Sequence, residues 1–253
     1  MQTLKIQMLS RWKQLLLILE PYAQTGPLGA FFLGITSGFP FALIGATLTT
    51  RLAQEGISKS SVTAFALTFL AYNFKPLWAP IVDNISLPMI GHFGQRRSWL
   101  WFVSFLLICS IVSLGVADPS QAIVMVAISA IAVGISGATL DIIIDAYRIE
   151  LLEPHQLGVG SGMSQYGWRI GAASAGAFAL IVAERYGWSI AYVTSIIFVL
   201  PAILVGVILG EPSRHIEKIG NERLFQGLFE YFGPLLEFVR RKGAWVVLFF
   251  VLI

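Results

Sequence analysis

Long apolar runs alternate with short polar segments along most of this chain. A helix that crosses a bilayer needs about 20 predominantly apolar residues, because each residue advances about 1.5 Å through a hydrocarbon core about 30 Å thick. The pattern predicts an all-α membrane protein with a six-helix transmembrane bundle over residues 28–209. The predicted helices are Leu28–Thr49, Val62–Ile81, Trp99–Val116, Ala122–Ala146, Val159–Val182 and Ser189–Leu209.

The segments that flank the bundle have a different character. Residues 1–27 are predicted to form a cytoplasmic tail or an interfacial helix, and residues 210–243 a cytoplasmic linker. Within the linker, apolar residues recur at helical spacing between charges, which is typical of an amphipathic helix on a membrane surface. The apolar run over residues 244–253 is too short to cross a bilayer, so it is predicted to be the cut-off start of a seventh transmembrane helix.

Composition and charge agree with a membrane protein and predict its orientation. Hydrophobic residues make up 56% of the chain and charged residues 12%, whereas soluble domains carry about 25% charged residues. The net charge of +3 is too small to favour nucleic acid as a partner. The loops on the side opposite the N-terminus hold only three basic residues, Arg51, Lys59 and Arg185. The positive-inside rule therefore predicts a cytoplasmic N-terminus.

Four charged residues lie inside the predicted spans: Lys75, Asp141, Asp145 and Arg169. A charge at the centre of a bilayer costs about 2.5–3.5 kcal/mol on insertion scales. Such residues are kept where they face a protein interior or a water-filled cavity, so a polar pathway through the bundle is predicted. The alternative is that these residues only hold helices together as interhelical ion pairs.

A stripe of small and charged residues runs along the fourth predicted helix, where Gly134, Ala138, Asp141, Asp145 and Arg148 follow one another by steps of three or four. This spacing places all five on one face of a helix. The small residues favour close helix packing, and Arg148 is within reach of Asp145. Asp141 and Asp145 are the predicted proton-coupling residues, because membrane carboxylates near a base can load and release protons. Ion pairing would explain Asp141 equally well.

An aromatic–spacer–aromatic–base pattern occurs at residues 72–75 and again at residues 166–169, 94 positions later. The starts of the first and fourth predicted helices have the same separation. Because the second and fifth helices run in opposite directions, the match predicts an inverted repeat of three helices each. Transporters built in this way bind their substrates at the interface between repeats. The predicted substrate contacts are Lys75, Arg169, Tyr72, Tyr166 and Gln165.

The segment after the second predicted helix has the features of a gate. Asp83 ends that helix, and Arg96 and Arg97 follow in a Gly-Gln-Arg-Arg turn. The two arginines are predicted to reach Asp83 and hold one side of the bundle closed, with Arg148 as a further gating residue. Anchoring of basic residues at the cytoplasmic surface is the alternative explanation.

Several of these segments together resemble the major facilitator superfamily, and more narrowly its branch of AmpG-type muropeptide permeases and related acetyl-CoA transporters. The resemblance implies two six-helix halves, alternating access, and proton-driven import of cell-wall fragments across the bacterial inner membrane. It also implies that this chain supplies the first half, to be completed by a C-terminal six-helix half or a second copy. The segments that carry the resemblance are residues 37–40, 74–83, 94–99, 141–148 and 166–169.

The expected function is therefore proton-coupled transport of an anionic solute such as a muropeptide, in contact with membrane lipid. The alternatives are transport of another anionic metabolite such as acetyl-CoA, and a non-transporting half whose charges are structural. No enzyme activity, cofactor or metal site is expected. All three histidines (His92, His155 and His215) lie in predicted loops, and no nucleophile, base and orienting residue come together in the spans.

Overall fold

The computed structural model describes residues 19–88 and 90–212, together with residues 237, 240 and 243. Within these residues every regular element is a helix. The first 18 residues of the predicted N-terminal tail, most of the predicted amphipathic linker and the predicted seventh helix lie outside the described residues.

Five helices in the described part are long and apolar enough to cross a membrane. They confirm five of the six predicted spans, and most of them extend beyond the predicted ends. Short 3-10 turns, Gly91–Phe93 and Pro154–Gln156, precede the second and fourth of these helices. We number these five helices α1 (Thr25–Gln54), α3 (Gln95–Val116), α4 (Ile123–Leu151), α5 (Leu157–Tyr186) and α6 (Trp188–Ile208). The label α2 is kept for the element between α1 and α3, which is described next.

The predicted second span, Val62–Ile81, falls within a helical element that is divided into short segments. Pro76 and Pro80 account for the last two breaks, since proline has no N–H to donate and restricts the backbone of the residue before it. We call residues 59–84 the segmented helix α2. Its segments are Lys59–Ala64, Phe65–Phe69, Leu70–Phe74, Lys75–Leu77 and Ala79–Asn84.

Helix α1 extends five residues beyond the predicted end at Thr49, and this changes the role of Arg51. The expectation that Arg51 lies in a loop is wrong, because its residue surface is only 3% exposed. Its guanidinium donates hydrogen bonds to the carbonyl oxygens of Leu114 at 2.7 Å and Ala117 at 2.6 Å. These carbonyls lie at the C-terminal end of α3, so Arg51 caps that helix.

Helices α1 and α5 pack in backbone contact along a seam of glycines. A Cβ atom on Gly34 would overlap the carbonyl oxygen of Ser164, and one on Gly167 would overlap the carbonyl oxygen of Phe31. Small residues allow such an approach between membrane helices. The two helices therefore form one closely joined unit.

Helix α4 approaches α2 in a similar way. A Cβ atom on Gly134 would lie 2.8 Å from the carbonyl oxygen of Thr68. The α1–α5 and α4–α2 contacts are the pairs that a repeat of helices one to three onto helices four to six would exchange. Because consecutive helices run in opposite directions, two ends of the bundle can be named. The Arg96 end holds the end of α4 and the starts of α3 and α5, and the Arg51 end is opposite.

Candidate functional site

The ammonium group of Lys75 and the carboxylate of Asp141 form an ion pair inside the bundle. Ser37 of α1 donates a hydrogen bond to the other oxygen of the same carboxylate. Three helices therefore meet at one carboxylate, since Lys75 belongs to α2 and Asp141 to α4. The interhelical ion pairing that the sequence offers as an alternative is therefore observed for Lys75 and Asp141.

Asp145 lies one turn of α4 beyond Asp141 and extends the pair into a ladder of charges. Its Oδ2 lies 3.9 Å from Nζ of Lys75, and its Oδ1 lies 3.0 Å from Nη2 of Arg148. The predicted pairing of Asp145 with Arg148 is confirmed. The ladder holds two positive and two negative groups, so it is electrically neutral when all four are ionised.

A cavity of about 260 Å³ borders the ladder, between α1, α2, α4 and α5. Four of the residues that the sequence singles out line it: Lys75, Asp141, Asp145 and Gln165. The other four lining residues are not singled out as contacts by the sequence patterns. They are Ser37, Ile144, Ser164 and Trp168.

Helical spacing is the signal that would have identified Ser164 and Trp168. Ser164 precedes Trp168 by four residues, so the two share one face of α5, and their backbones contact Gly34 and Gly38 of α1. Ser37 lies next to Gly38 on the matching face of α1, where the backbone contacts Trp168. A polar residue adjacent to a glycine seam is therefore placed beside the partner helix and beside the cavity.

The proline-containing turn of α2 positions Lys75. This residue begins the 3-10 segment Lys75–Leu77, and the next aromatic residue, Trp78, fastens the turn to α4. The indole N–H of Trp78 donates a hydrogen bond to Oγ1 of Thr139 at 3.1 Å. Because Thr139 precedes Asp141 by two residues, this bond holds the Lys75 segment next to its carboxylate partner.

Aromatic residues lie beside the ion pair, on the side of the Arg51 end of the bundle. The Tyr72 ring meets the Phe41 ring edge-on at 5.7 Å between centroids, and the Phe41 and Trp168 centroids are also 5.7 Å apart. The Tyr72 hydroxyl is buried next to Gly137 and has no hydrogen-bond partner among the residues in 19–88 and 90–212. Tyr72 therefore packs beside the cavity and does not line it.

Two predicted substrate contacts of α5 lie away from the charge ladder. Tyr166 is 66% exposed, and Arg169 is also exposed. Neither residue lines the cavity. Arg169 has no ion-pair partner in the described part of the chain. The structure thus brings Lys75, Asp141 and Asp145 together but leaves Arg169 as a separate cation.

The predicted contact with Asp83 forms for one arginine of the pair, Arg96. The guanidinium of Arg96, with a side chain only 5% exposed, contacts Asp83 at 2.6 Å through Nη1. It contacts the same oxygen of Glu150 through Nη2 at 2.7 Å and Nε at 2.9 Å. Glu150 of α4 is a member of this cluster that the sequence patterns do not single out. We call Asp83, Arg96 and Glu150 the latch.

Arg97 does not reach Asp83, so that part of the predicted gate is wrong. Its guanidinium stacks over the Trp101 ring, 4.4 Å from the centroid. On a helix, successive side chains point in different directions, so two adjacent arginines cannot both face the same acid. Arg148 is likewise absent from the latch, because its ion pair is with Asp145.

A second acid, Glu211, caps the start of α3 beside the latch. Its carboxylate accepts hydrogen bonds from the backbone N–H groups of Arg96 at 3.0 Å and Arg97 at 2.9 Å. A carboxylate at a helix N-terminus is favourable, because the first N–H groups have no partner within the helix. Gly94 allows the approach, because it has φ +112° and a Cβ atom there would overlap the carboxylate. Glu211 follows α6, so this contact joins α6 to the latch.

No group of three or more His, Cys, Asp or Glu side chains among the described residues is arranged to hold a metal ion. The polar groups of the site are instead an ion-pair ladder, hydroxyls and an amide around a cavity. This arrangement can exchange ion-pair partners and can offer hydrogen bonds to a small molecule, both without covalent chemistry.

Comparisons with known proteins agree with this geometry. A family model described as Major Facilitator Superfamily matches residues 30–253. The AmpG 4 protein of Rickettsia felis is 31% identical over 225 residues, and the anhydromuropeptide permease of Escherichia coli strain K12 is 31% identical over 222 residues. These alignments cover 88% and 87% of this chain, but 54% and 44% of the two relatives. The chain thus spans about half the length of the curated relatives it matches.

Proposed function

Because this chain belongs to the Major Facilitator Superfamily, we propose that it forms half of a secondary transporter that moves an anionic solute by alternating access. The observation that carries the proposal is the Lys75–Asp141 ion pair, since both of its members line a cavity inside the bundle. Ionisable residues in membrane-spanning segments mark substrate or ion pathways when they face such a space.

The solute that we propose is a muropeptide, a cell-wall fragment that carries carboxylates. Similarity to a protein named anhydromuropeptide permease supports this choice. Arg169 supports it as well, because a guanidinium stays ionised and this one is exposed without an ion-pair partner in the described residues. On this proposal Arg169 binds a solute carboxylate, Gln165 and Tyr166 are further contacts, and Tyr72 packs beside the cavity without touching the solute.

Proton coupling is the proposed role of Asp141 and Asp145. Lys75 contacts Asp141 and lies 3.9 Å from Asp145. A proton on Asp141 would cancel the charge that holds Lys75, and the ammonium group would then move towards Asp145. Because Nζ of Lys75 already lies 3.9 Å from Oδ2 of Asp145, the exchange needs a movement of the ammonium group of only about 1 Å to reach hydrogen-bond distance.

The latch is the proposed gate of the transport cycle. Its buried Arg96 joins α3 to α2 through Asp83 and to α4 through Glu150. Opening the bundle at this end requires these bonds to break, whereas the ladder at Lys75 lies deeper in the bundle. On this proposal the Arg96 end faces the cytoplasm of a bacterial inner membrane, as the distribution of basic residues indicates.

A partner unit completes the cavity on this proposal. The matched relatives are about twice as long as the region they share with this chain. A C-terminal six-helix half would therefore face α1, α2, α4 and α5 across the solute. A second copy of this chain is the other unit that could supply that surface.

A second candidate function follows from the charge balance of the ladder. Lys75, Asp141, Asp145 and Arg148 compensate one another within the bundle. Ion pairs of this kind could serve only to hold α2 against α4 in a membrane protein that transports nothing. The two functions differ in whether a solute crosses the membrane.

Uptake of labelled anhydromuropeptide into proteoliposomes under an inward proton gradient tests the proposal. This 253-residue chain is compared with a version extended by a second six-helix half. Uptake that requires the extension would support the half-transporter, and uptake by the short chain alone would support the second copy. Uptake by neither would exclude the muropeptide and favour the structural role.

A further inference from the structure

Two adjacent hydroxyls of α1 reach two different helices. Ser37 donates a hydrogen bond to Asp141 of α4, as described above. Thr36 is fully buried and points to α6, where its hydroxyl makes two hydrogen bonds to the backbone. It donates to the carbonyl oxygen of Phe198 at 3.0 Å, and it accepts from the N–H of Ala202 at 3.1 Å.

The two backbone groups that Thr36 contacts would bond to each other in a regular α-helix. In that geometry the N–H of Ala202 donates to the carbonyl oxygen four residues earlier, which is that of Phe198. The hydroxyl of Thr36 therefore lies between these two backbone groups of α6 and bridges them. Insertion of a side chain into the ladder is one of the recognised causes of a helix bend.

The sequence of α6 disfavours a regular α-helix at the same place. The segment Ser195–Val199 is a 3-10 helix between two α-helical segments. Pro201 follows it, and proline has no N–H to bond with the carbonyl four residues earlier. Two consecutive positions thus lack the regular bond, so α6 has a joint that is stabilised by a hydroxyl from another helix.

The far end of α6 reaches the latch. Glu211, which follows the helix, caps the N-terminus of α3 through the N–H groups of Arg96 and Arg97. A change in the bend at the joint would move this carboxylate relative to α3. Since α1 and α5 are in backbone contact, a displacement of α1 moves both helices against α6.

We propose that Thr36 and Ser37 are positioning residues that couple the Asp141 carboxylate to the latch through the joint in α6. This inference rests on the proposed function, because it gives the ion pair a means of controlling the gate. With the Lys75–Asp141–Ser37 contacts intact, α1 holds the Thr36 hydroxyl in the joint. When Asp141 loses its charge, α1 is released, Thr36 withdraws and the Ala202 N–H bonds to Phe198.

The joint supplies the element with two arrangements that a coupling between distant sites requires. In one arrangement the Thr36 hydroxyl bridges the Phe198 carbonyl and the Ala202 N–H. In the other, these two backbone groups bond directly to each other. Both satisfy the Phe198 carbonyl and the Ala202 N–H, and in the second arrangement the Thr36 hydroxyl can donate to the carbonyl oxygen four residues earlier in its own helix. The energies of the two can therefore be close.

Hydrogen exchange at the amides of Arg96 and Arg97 tests the inference, because these amides donate to Glu211. The purified chain is studied in lipid nanodiscs, with Asp141→Asn as the change that removes the charge. We expect this substitution to alter the exchange rate by about tenfold, within the 5–150-fold range of typical allosteric couplings. In the Thr36→Val background, which lacks the hydroxyl, Asp141→Asn should alter the rate by less than about twofold.

Matched variants make the result specific. Thr36→Ser keeps the hydroxyl and should preserve the tenfold effect, within the same range of couplings. Thr194→Val removes a hydroxyl of α6 that bonds within its own helix, and it should preserve the effect too. Ser37→Ala should abolish the effect and serves as the second test if Thr36→Val does not fold.

An unchanged response to Asp141→Asn in both the Thr36→Val and Ser37→Ala backgrounds would overturn the inference. The absence of any response in the unsubstituted chain would overturn it equally. Because the readout is amide exchange, its failure is distinct from failure of the proposed function, which is measured as solute uptake.

Discussion

Lys75 and Asp141 lie 66 positions apart in the chain and form an ion pair on facing helices, with Ser37 bound to the same carboxylate. Their side chains are 30% and 18% exposed, so the pair borders the cavity and is not sealed in the core. This intermediate burial makes the pair accessible to a solute or a proton, and it also makes each partner dependent on the other.

The first prediction concerns the dependence of each partner on the other. Asp141→Leu removes the nearest anion of the Lys75 ammonium and leaves it only Asp145, at 3.9 Å, so we expect a loss of about 1–3 kcal/mol in the free energy of unfolding. Lys75→Met should cost a similar amount, whereas the double variant should recover most of the loss, because no charge remains unpaired. Thermal unfolding in detergent measures this cycle. Additive losses in the double variant would contradict the pairing.

The latch supports a second prediction. Arg96→Gln leaves Asp83 and Glu150 without their cation, and we expect it to destabilise the bundle by about 3–5 kcal/mol, as for other buried ion pairs. Arg97→Gln is the matched control, since Arg97 forms no ion pair with the described residues and its stacking on Trp101 is worth about 0.5–2 kcal/mol. Equal unfolding temperatures for the two variants would show that Arg96 is not the centre of the latch.

The glycine seam supports a third prediction. Gly34→Ala places a methyl group against the Ser164 carbonyl, so α1 and α5 must separate, with an expected cost of about 1–3 kcal/mol in the free energy of unfolding. Gly162→Ala is the control on α5, because no atom lies within 4 Å of its added Cβ. That control should be neutral or stabilising by up to about 1 kcal/mol. A harmless Gly34→Ala would argue against the close approach.

A fourth prediction separates charge from geometry at Arg169. Arg169→Lys keeps the positive charge but loses the planar pair of donors that binds a carboxylate in bidentate fashion. We expect both Arg169→Lys and Arg169→Gln to lower uptake about tenfold or more, which corresponds to about 1.4 kcal/mol of lost binding. Neither should affect folding, since Arg169 is exposed. Uptake that survives Arg169→Gln would remove this residue from the site.

Periodicity and hydropathy predicted those features that depend on a single helix. The stripe on α4 correctly placed Asp141, Asp145 and Arg148 on one face, because helical spacing alone decides that face. The small residues of that stripe likewise predicted a closely packed face, and Gly134 there meets the backbone of α2. Such patterns do not predict contacts between residues that are distant in the sequence. Glu150 and Glu211 join the Arg96 cluster from helices whose sequences carry no signal of that contact.

The errors have physical causes that can be named. Hydropathy identifies the apolar stretch of α2 but not its divisions at Pro76 and Pro80, which the geometry of proline imposes. It also ended α1 at the first polar residues, although Arg51 is buried because it caps α3. The repeated aromatic–base pattern equated Lys75 with Arg169, but side-chain direction depends on the rotation of each helix in the bundle. Lys75 therefore lines the cavity, and Arg169 does not.

The most direct test of the account is solute uptake by a variant that keeps the fold but lacks the ion pair. The Lys75→Met and Asp141→Leu double variant, in a version of the chain that includes a second six-helix half, is compared with the unsubstituted protein. Both are reconstituted with labelled anhydromuropeptide and a proton gradient. We predict that the double variant unfolds at nearly the same temperature but takes up no solute. Undiminished uptake by the double variant would contradict the central role of the Lys75–Asp141 pair in transport.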